Sequence, residues 1–473
     1  MQFKTNPKTF STLALRIIPV FEENTAEILT SKLGFSGIPS SIFSGKKDTS
    51  YTLELEGQVI LLVGLGTNPE YKTIENSFRR ILSKNSSLVE KLVSIDFDDN
   101  FSADQIEAAL VGFQLGSYSI GFYKKEKPKD YSKLKVEIIT VIDKSKSLTD
   151  RAEKIASAKI EAFKLVDLPP NKITPEYLGD WAKNLGKKSK LDVKVFDVKK
   201  AKSEGLEAFL AVGRGSAKDP KFIIIEYRHP KAKFHLGLVG KGVTFDTGGL
   251  NIKTQGMHHM KSDMGGGAAV LATTQLIAEL EVHVNLTAIV PAVENTIDKE
   301  SFLPSEIIGS HAGLSIEVID TDAEGRLILA DGLSYLIKNY KTDQVIDLAT
   351  LTGSSIGTFG FECAALFCND GNLSHGLQLA GEEVGEKSWP LPLWENYGKE
   401  MESEIADIKN FHGKPFAGAI TAAKFVQAFT HNHPAWAHLD IAGVAFGDGE
   451  FSKTKTGTAY GVSLLLRYIE NQL

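Results

Sequence analysis

Apolar and polar positions follow two alternating rhythms along this chain. Residues 59–63 (Val-Ile-Leu-Leu-Val) form an unbroken apolar run with the length of a buried strand. The run ends at Gly64-Leu65-Gly66, which reads as a strand-to-helix turn. Residues 106–116 place apolar side chains at helical spacing, and residues 136–142 return to a β-branched strand pattern. Between residues 149 and 165, Ala152, Ile155, Ala156, Ile160 and Phe163 fall near one face of a long helix. Pro169-Pro170 stops it. Beyond the prolines the alternation resumes, with strands expected at 236–240, 286–290 and 345–351 and helices at 268–280 and 327–337. Strands alternating with helices predict an α/β fold. The breaks divide it into an N-terminal α/β domain over residues 1–148, a connecting helix over 149–168 and a larger α/β domain over 169–473.

Composition supports this picture and narrows the partners. A chain of 473 residues is long for one core, which agrees with two domains. Its 42% apolar and 24% charged residues are those of an ordinary globular protein. The net charge of −6, and a balance of 19 basic against 19 acidic residues over 1–150, leave no electrostatic footprint for nucleic acid or an anionic membrane. The basic run at 124–129 is accordingly read as a solvated loop. No uncharged run is long enough to span a bilayer. The apolar stretch from Leu13 to Phe21 is too short for a signal peptide and is broken by Arg16 and Pro19. Only Cys363 and Cys368 are present, so a disulfide framework is excluded, and two core thiols in a reduced cytoplasmic compartment are expected.

The densest chemistry lies at Asp320-Thr321-Asp322-Ala323-Glu324-Gly325-Arg326-Leu327. Carboxylates taken out of water repel one another unless cations neutralise them, and one arginine cannot balance three acids. Asp322 and Glu324 are two apart, so in extended backbone they leave from one face. Arg326 stands at the start of the following apolar helix, where backbone amides favour an anion. A glycine-rich cluster at 241–250 follows the strand ending at Gly240 and carries Asp246, with Lys253 just beyond. Gly240-Lys241-Gly242 is not a P-loop, because no Ser or Thr follows the lysine and the upstream glycine is missing. A third cluster, 260–267, precedes an Ala-rich helix, and its Asp263 is either a helix cap or a ligand. Asp246, Asp263, Asp322 and Glu324 together make an oxygen-rich set suited to Mg²⁺, Mn²⁺ or Zn²⁺ and able to bridge two ions. No His-Glu-x-x-His motif competes, and the adjacent His258 and His259 point apart on any regular element.

Residues 241–249, 262–266 and 321–327 resemble the signature segments of the leucyl (cytosol) aminopeptidases. Residues 169–175, 349–353, 417–423 and 436–443 extend the resemblance from about residue 150 to the C-terminus, whereas the N-terminal part is similar only around 112–123. The resemblance implies an α/β/α catalytic domain with a central mixed sheet. It also implies a metal-dependent aminopeptidase that releases leucine-like apolar residues from short peptides with a free N-terminus. One ion would be held by Lys241, as a neutral amine, with Asp246, Asp263 and Glu324; a second by Asp246, Asp322 and Glu324 with the Asp322 backbone carbonyl. Both would be Mn²⁺ or Zn²⁺, with Mg²⁺ as a further candidate. Lys253 would stabilise the oxyanion, and Arg326 would hold a bicarbonate that acts as general base. Met260, Thr350, Gly353, Ala442 and Ala445 would line the first side-chain pocket, and Leu351 would offer backbone contacts. A cytoplasmic homohexamer is implied as well.

Two departures from the family pattern stand out. Asp320 replaces the usual asparagine and is expected to pair with a nearby lysine; Ala445, where some members carry a larger residue, is expected to widen the pocket. A DNA-binding or scaffold protein on the same fold is the alternative reading. Every ligand position is filled and the N-terminal charge is balanced, and both facts weigh against it. A two-metal hydrolase of another amide or of a phosphate ester is the enzymatic rival.

Overall fold

A computed structural model of the chain describes residues 1–6, 14–34, 38–143, 145–189 and 191–473. Residues 1–160 with 383–385 form one compact unit, and residues 161–382 with 386–473 form another.

The first unit is built on a six-stranded sheet in the order Gln2–Thr5, Lys135–Ile139, Leu92–Asp96, Leu15–Phe21, Gln58–Gly66, Ser50–Leu55. Neighbours are parallel except for the last pair. The segment expected to be too short for a signal peptide is thus a buried strand from Leu15, while Leu13 lies outside the described residues. Gly64-Leu65-Gly66 continues the strand instead of turning out of it. Gly64 serves a close approach: its N–H bonds Thr49 O, and a Cβ there would lie 2.3 Å from Lys46 O. The helix expected at 106–116 runs over Ala103–Leu115 and opens with a capping box between Ser102 and Gln105. The strand expected to reach residue 142 ends at Ile139. Residues 123–130 are exposed and lack regular structure, as a solvated loop should.

The long helix spans Ser145–Asp167 and stops two residues before Pro169. The chain passes from one compact unit to the other inside this helix, between Ile160 and Glu161. Among the described residues no helix is long and apolar enough to cross a membrane.

The second unit is organised by a mixed nine-stranded sheet. Its centre is four parallel strands in the order Trp436–Asp440, Gln344–Ala349, His235–Gly240, Asn285–Asn295. Antiparallel neighbours flank this core: Ala364–Cys368 on one side, Lys221–Tyr227 and Asp192–Phe196 on the other. The central strands are buried on both faces, which explains their continuous apolar runs. Helices Gly265–Glu279 and Glu324–Asn339 cover opposite faces. A Cβ on Gly240 would strike the first helix at Gly266 O, whereas one on Gly237 would strike Leu336 of the second. Residues three apart on a strand face opposite ways. Cys363 and Cys368 bracket the strand Ala364–Cys368 and are half-buried, not core thiols.

Parallel strands all end at the same edge, where open α/β sheets build their sites. Gly240 pairs with Leu348 and Ala349 with Asp440, so Lys241, Thr350 and Asp440 emerge there at one level.

Candidate metal centre and active site

Lys241 follows the strand His235–Gly240, and Asp246 ends the adjoining strand Gly242–Asp246. Asp263 follows a single 3₁₀ segment, Met257–Ser262, and Glu324 is the first residue of its helix. The tertiary fold gathers these separate segments. One carboxylate oxygen each from Asp246, Asp322 and Glu324 lie within 4.8 Å of one another. Asp263 joins them through Lys241, whose Nζ is 2.9 Å from Asp263 Oδ2 and 2.9 Å from Glu324 Oε1 and donates to Thr350 O at 3.0 Å. Gly325 makes room for that ammonium, since a Cβ there would lie 2.5 Å from Lys241 Nζ. Lys253 Nζ spans Asp246 Oδ2 at 2.9 Å and Asp322 Oδ1 at 2.5 Å. Asp263 does not cap the helix that follows; its Oδ1 accepts from Thr350 Oγ1 at 2.8 Å.

The charges do not balance without a cation. Four carboxylates face two lysines with Arg326 beside them, which leaves a surplus of one negative charge with all three cations counted, in a pocket whose Asp263, Asp246 and Glu324 are buried. Burial, then the neighbouring carboxylates, raise Asp322 to about 7 and push Asp263 and Glu324 upward as well. Lys241 is opposed by burial, yet Asp263, Glu324 and Asp246 hold its pKa above the usual lysine value. Asp263 Oδ2 and Glu324 Oε2 are buried and accept no hydrogen bond. Asp263 Oδ2 is within ion-pair reach of Lys241, but outside hydrogen-bond geometry. Buried acceptors without donors, in an all-oxygen set with surplus negative charge, fit divalent cations.

Arg326 lies beside this cluster, buried, with Nη1 donating to Asn410 O at 2.7 Å. Its Nε is buried without a partner, so one face of the guanidinium is available to an anion. Burial pulls its pKa down to about 10, against the opposing pull of Glu324, Asp320 and Asp440. Asp320 does not pair with a lysine among the described residues. Its Oδ1 accepts from Asp322 N at 2.8 Å, closing a tight turn that an asparagine oxygen would close equally well. Among the described residues, the added charge therefore serves no ion pair with a lysine.

Lys253, Arg326 and all four carboxylates line a cavity of about 800 Å³. Met260, Thr350, Leu351, Gly353 and Ala442 line it too, and Ile356, Phe361 and Phe446 add apolar wall. Ala445 is not in the lining: it is buried, with its Cβ against the start of the helix at Gly265. A Cβ on Gly265 would lie 3.0 Å from that of Ala445, so the two small residues pack together.

Three residues given no role by sequence reasoning organise the site. Asn295 donates to Asp246 Oδ1 at 2.8 Å and to Thr321 O at 3.0 Å. Asp440 accepts from Leu351 N, Thr352 Oγ1 and Ala442 N, and so fixes two segments of the cavity wall. Asn410 holds the 319–323 backbone. Asp440 sits inside a recognisable segment, but Asn295 and Asn410 are isolated polar residues whose use depends on strand register, and no local signal marks them.

Comparison with known proteins agrees with this geometry. A family model described as the cytosol aminopeptidase family, catalytic domain, matches residues 161–466. A probable cytosol aminopeptidase from Clostridium perfringens (strain 13 / Type A) is 37% identical over 477 residues, covering 95% of each chain. Among solved structures, a mutant tomato leucine aminopeptidase superposes with a TM-score of 0.90 at 30% identity, covering 100% of this chain and 96% of that one. The bottromycin maturation enzyme BotP in complex with Mn superposes with a TM-score of 0.86 at 28% identity, covering 97% and 99%. Since the matched region takes in the whole nine-stranded sheet and the acid cluster at its edge, and the likeness to the clostridial relative runs nearly end to end, the chain belongs to the cytosol aminopeptidase family and is a metallo-aminopeptidase.

Proposed function

We propose that the protein removes leucine-like apolar residues from the N-termini of short peptides, using two divalent cations at the Asp246–Asp322–Glu324 cluster. The observation that carries this reading is the surplus of buried carboxylate around two lysines, with Glu324 Oε2 left without a hydrogen-bond partner. Asp246, Asp263 and Glu324 would hold one ion, joined by Lys241 as a neutral amine once the proton that its raised pKa keeps in the ion-free cluster is displaced on cation binding, and Asp246, Asp322 and Glu324 the other. When bound, the cations supply Lewis-acid polarisation of the scissile carbonyl and a lowered pKa for the attacking water. Mn²⁺ and Zn²⁺ are the favoured ions, with Mg²⁺ third, and the Mn named with BotP supports the first.

The chain's own residues divide the remaining work. Lys253 Nζ lines the cavity and is positioned to donate to the oxyanion that develops on the carbonyl. Arg326, with its free Nε, holds a small anion, bicarbonate in this reading, and so sets where the proton of the attacking water goes. Met260, Gly353, Ala442, Ile356 and Phe361 surround the first side chain with apolar surface, which favours leucine-like residues. Leu351 offers its backbone to the peptide, with its own N–H tied to Asp440. A cytoplasmic homohexamer is part of the same reading, and its mass in solution tests it.

The test is a panel of aminoacyl anilides on the purified protein, before and after chelation and re-addition of each ion. Leucyl anilide is expected to be cleaved fastest and its N-acetyl form not at all. Chelation should abolish activity, and Mn²⁺ or Zn²⁺ should restore it. Unchanged activity in protein that elemental analysis finds free of metal would sink the proposal. A second expectation concerns Lys253→Ala: at saturating metal, kcat should fall by about 10²- to 10³-fold with KM little changed. Steady-state kinetics showing the loss mainly in KM would remove Lys253 from the oxyanion role.

A further inference from the structure

We infer that Asn410 is a positioning residue for this centre: its side chain holds the Asp320–Glu324 turn in the arrangement that brings Asp322 and Glu324 to Asp246. This inference rests on the metal-centre reading above. The strand Ile408–Lys409 pairs in parallel with Ile316–Glu317, Ile316 opposite Ile408 and Glu317 opposite Lys409. That register carries Asn410 alongside the chain leaving Glu317, and Asn410 N donates to Glu317 O at 2.9 Å. The side chain is completely buried. Its Oδ1 accepts from Ile319 N at 2.7 Å and Asp320 N at 3.2 Å, and its Nδ2 donates to Asp320 O at 2.6 Å, with Ala323 O at 3.5 Å. Its backbone oxygen accepts from Arg326 Nη1 at 2.7 Å.

Four main-chain groups of one short turn and the guanidinium beside it therefore converge on a single residue. The arrangement needs such a clamp. Asp246, Asp322 and Glu324 bring carboxylate oxygens within 4.8 Å of one another, and the Lys253 and Lys241 bridges offset only part of the repulsion at that spacing. Thr321 is tied to Gly248 and Asn251 on the far side, and Asp320 closes only its own turn. Asn410 supplies the opposing hold, using both ends of its amide. Groups that fix ligands from behind in this way commonly change metal affinity 10- to 100-fold when removed.

The experiment compares Asn410→Asp and Asn410→Ala with the wild-type full-length chain. The aspartate keeps the volume and the acceptor of Oδ1, but sets an oxygen against Asp320 O and Ala323 O. Mn²⁺ affinity is measured by calorimetry and chelator competition, kcat and KM at saturating Mn²⁺, and folding by far-ultraviolet circular dichroism. Both variants are expected to keep the wild-type spectrum, to bind Mn²⁺ about 10- to 100-fold more weakly, and to lose kcat with little change in KM. Wild-type Mn²⁺ affinity in Asn410→Asp would overturn the inference. So would loss of the folded spectrum in both variants at saturating Mn²⁺, which would make Asn410 a folding residue instead. A wild-type protein that binds no Mn²⁺ would refute the metal-centre reading itself, an outcome distinct from unchanged variants.

Discussion

Replacing Asp246 with asparagine is expected to lower turnover at least about 10³-fold, beyond the scale on which loss of one transition-state donor is felt. Asp246 is one of two carboxylates, with Glu324, common to both proposed ions. Its Oδ1 accepts from Gly248 N at 2.9 Å and Asn295 Nδ2 at 2.8 Å, which fixes the side chain from behind. Its Oδ2 faces Lys253. An asparagine can keep the Oδ1 contacts, so the fold should persist, but its amide nitrogen would point at the Lys253 ammonium and carry no charge toward a cation. Metal content should fall together with kcat, and the circular dichroism spectrum should match wild type. Near-normal turnover with full metal content would show that Asp246 bridges nothing.

Replacing Lys159 with methionine is expected to destabilise the N-terminal unit by about 3–5 kcal/mol. Lys159 is 1% exposed and its Nζ lies 2.7 Å from Glu75 Oε2, itself 0% exposed. Burial alone would raise the Glu75 pKa, but Lys159 and Lys72 overturn that and hold it at about 2. Removing Lys159 leaves a buried carboxylate with Lys72, itself partly exposed, as its cation among these two. The pair also sets an acid limit. With the folded pKa below the ordinary 4.5, the contribution of Glu75 is complete above about pH 4.5 and is lost as the pH falls toward 2. That loss amounts to about 3 kcal/mol. The Lys159→Met variant should therefore show a flatter stability profile between pH 5 and 3 than wild type. Amide hydrogen exchange in residues 71–84 and 145–160, across that range, checks both points. Coupling the change to Glu75→Leu should recover most of the stability; a double variant no better than the single one would mean the cost lies in packing.

Local pattern was enough where neighbouring residues act together. The apolar run at 236–240 became a central strand because continuous apolar residues have no stable place except between two layers. The helix after Arg326 was legible from its apolar spacing, although it starts at Glu324, three residues earlier than expected, and ends at Asn339, two later. Asp246, Asp263, Asp322 and Glu324 were legible as candidates because each sits in a dense segment of glycine and charge, and Lys241 was added by the family resemblance.

Other features were not legible, for a common reason. Gly64-Leu65-Gly66 carries the composition of a turn, but its glycines admit a neighbouring backbone, which is visible only once Lys46 is seen beside Gly64. Lys159 reads as an ordinary polar residue on a helix until Glu75, from another helix, is found against it. Asn410 meets Ile319 across 91 positions of sequence, and Asn295 meets Asp246 across 49.

By itself, then, the sequence determined most of the strands and helices, the α/β class and the candidate set of carboxylates for a cation. Periodicity and composition act over a few neighbours, and those properties depend on nothing further. Only the tertiary structure decided which carboxylates converge, that Asp263 reaches the others through Lys241, that Ala445 packs against Gly265, and that two isolated asparagines bond Asp246 and the 319–320 backbone. Those outcomes follow from strand order and register, which bring distant residues to one sheet edge and which no short segment of the chain contains.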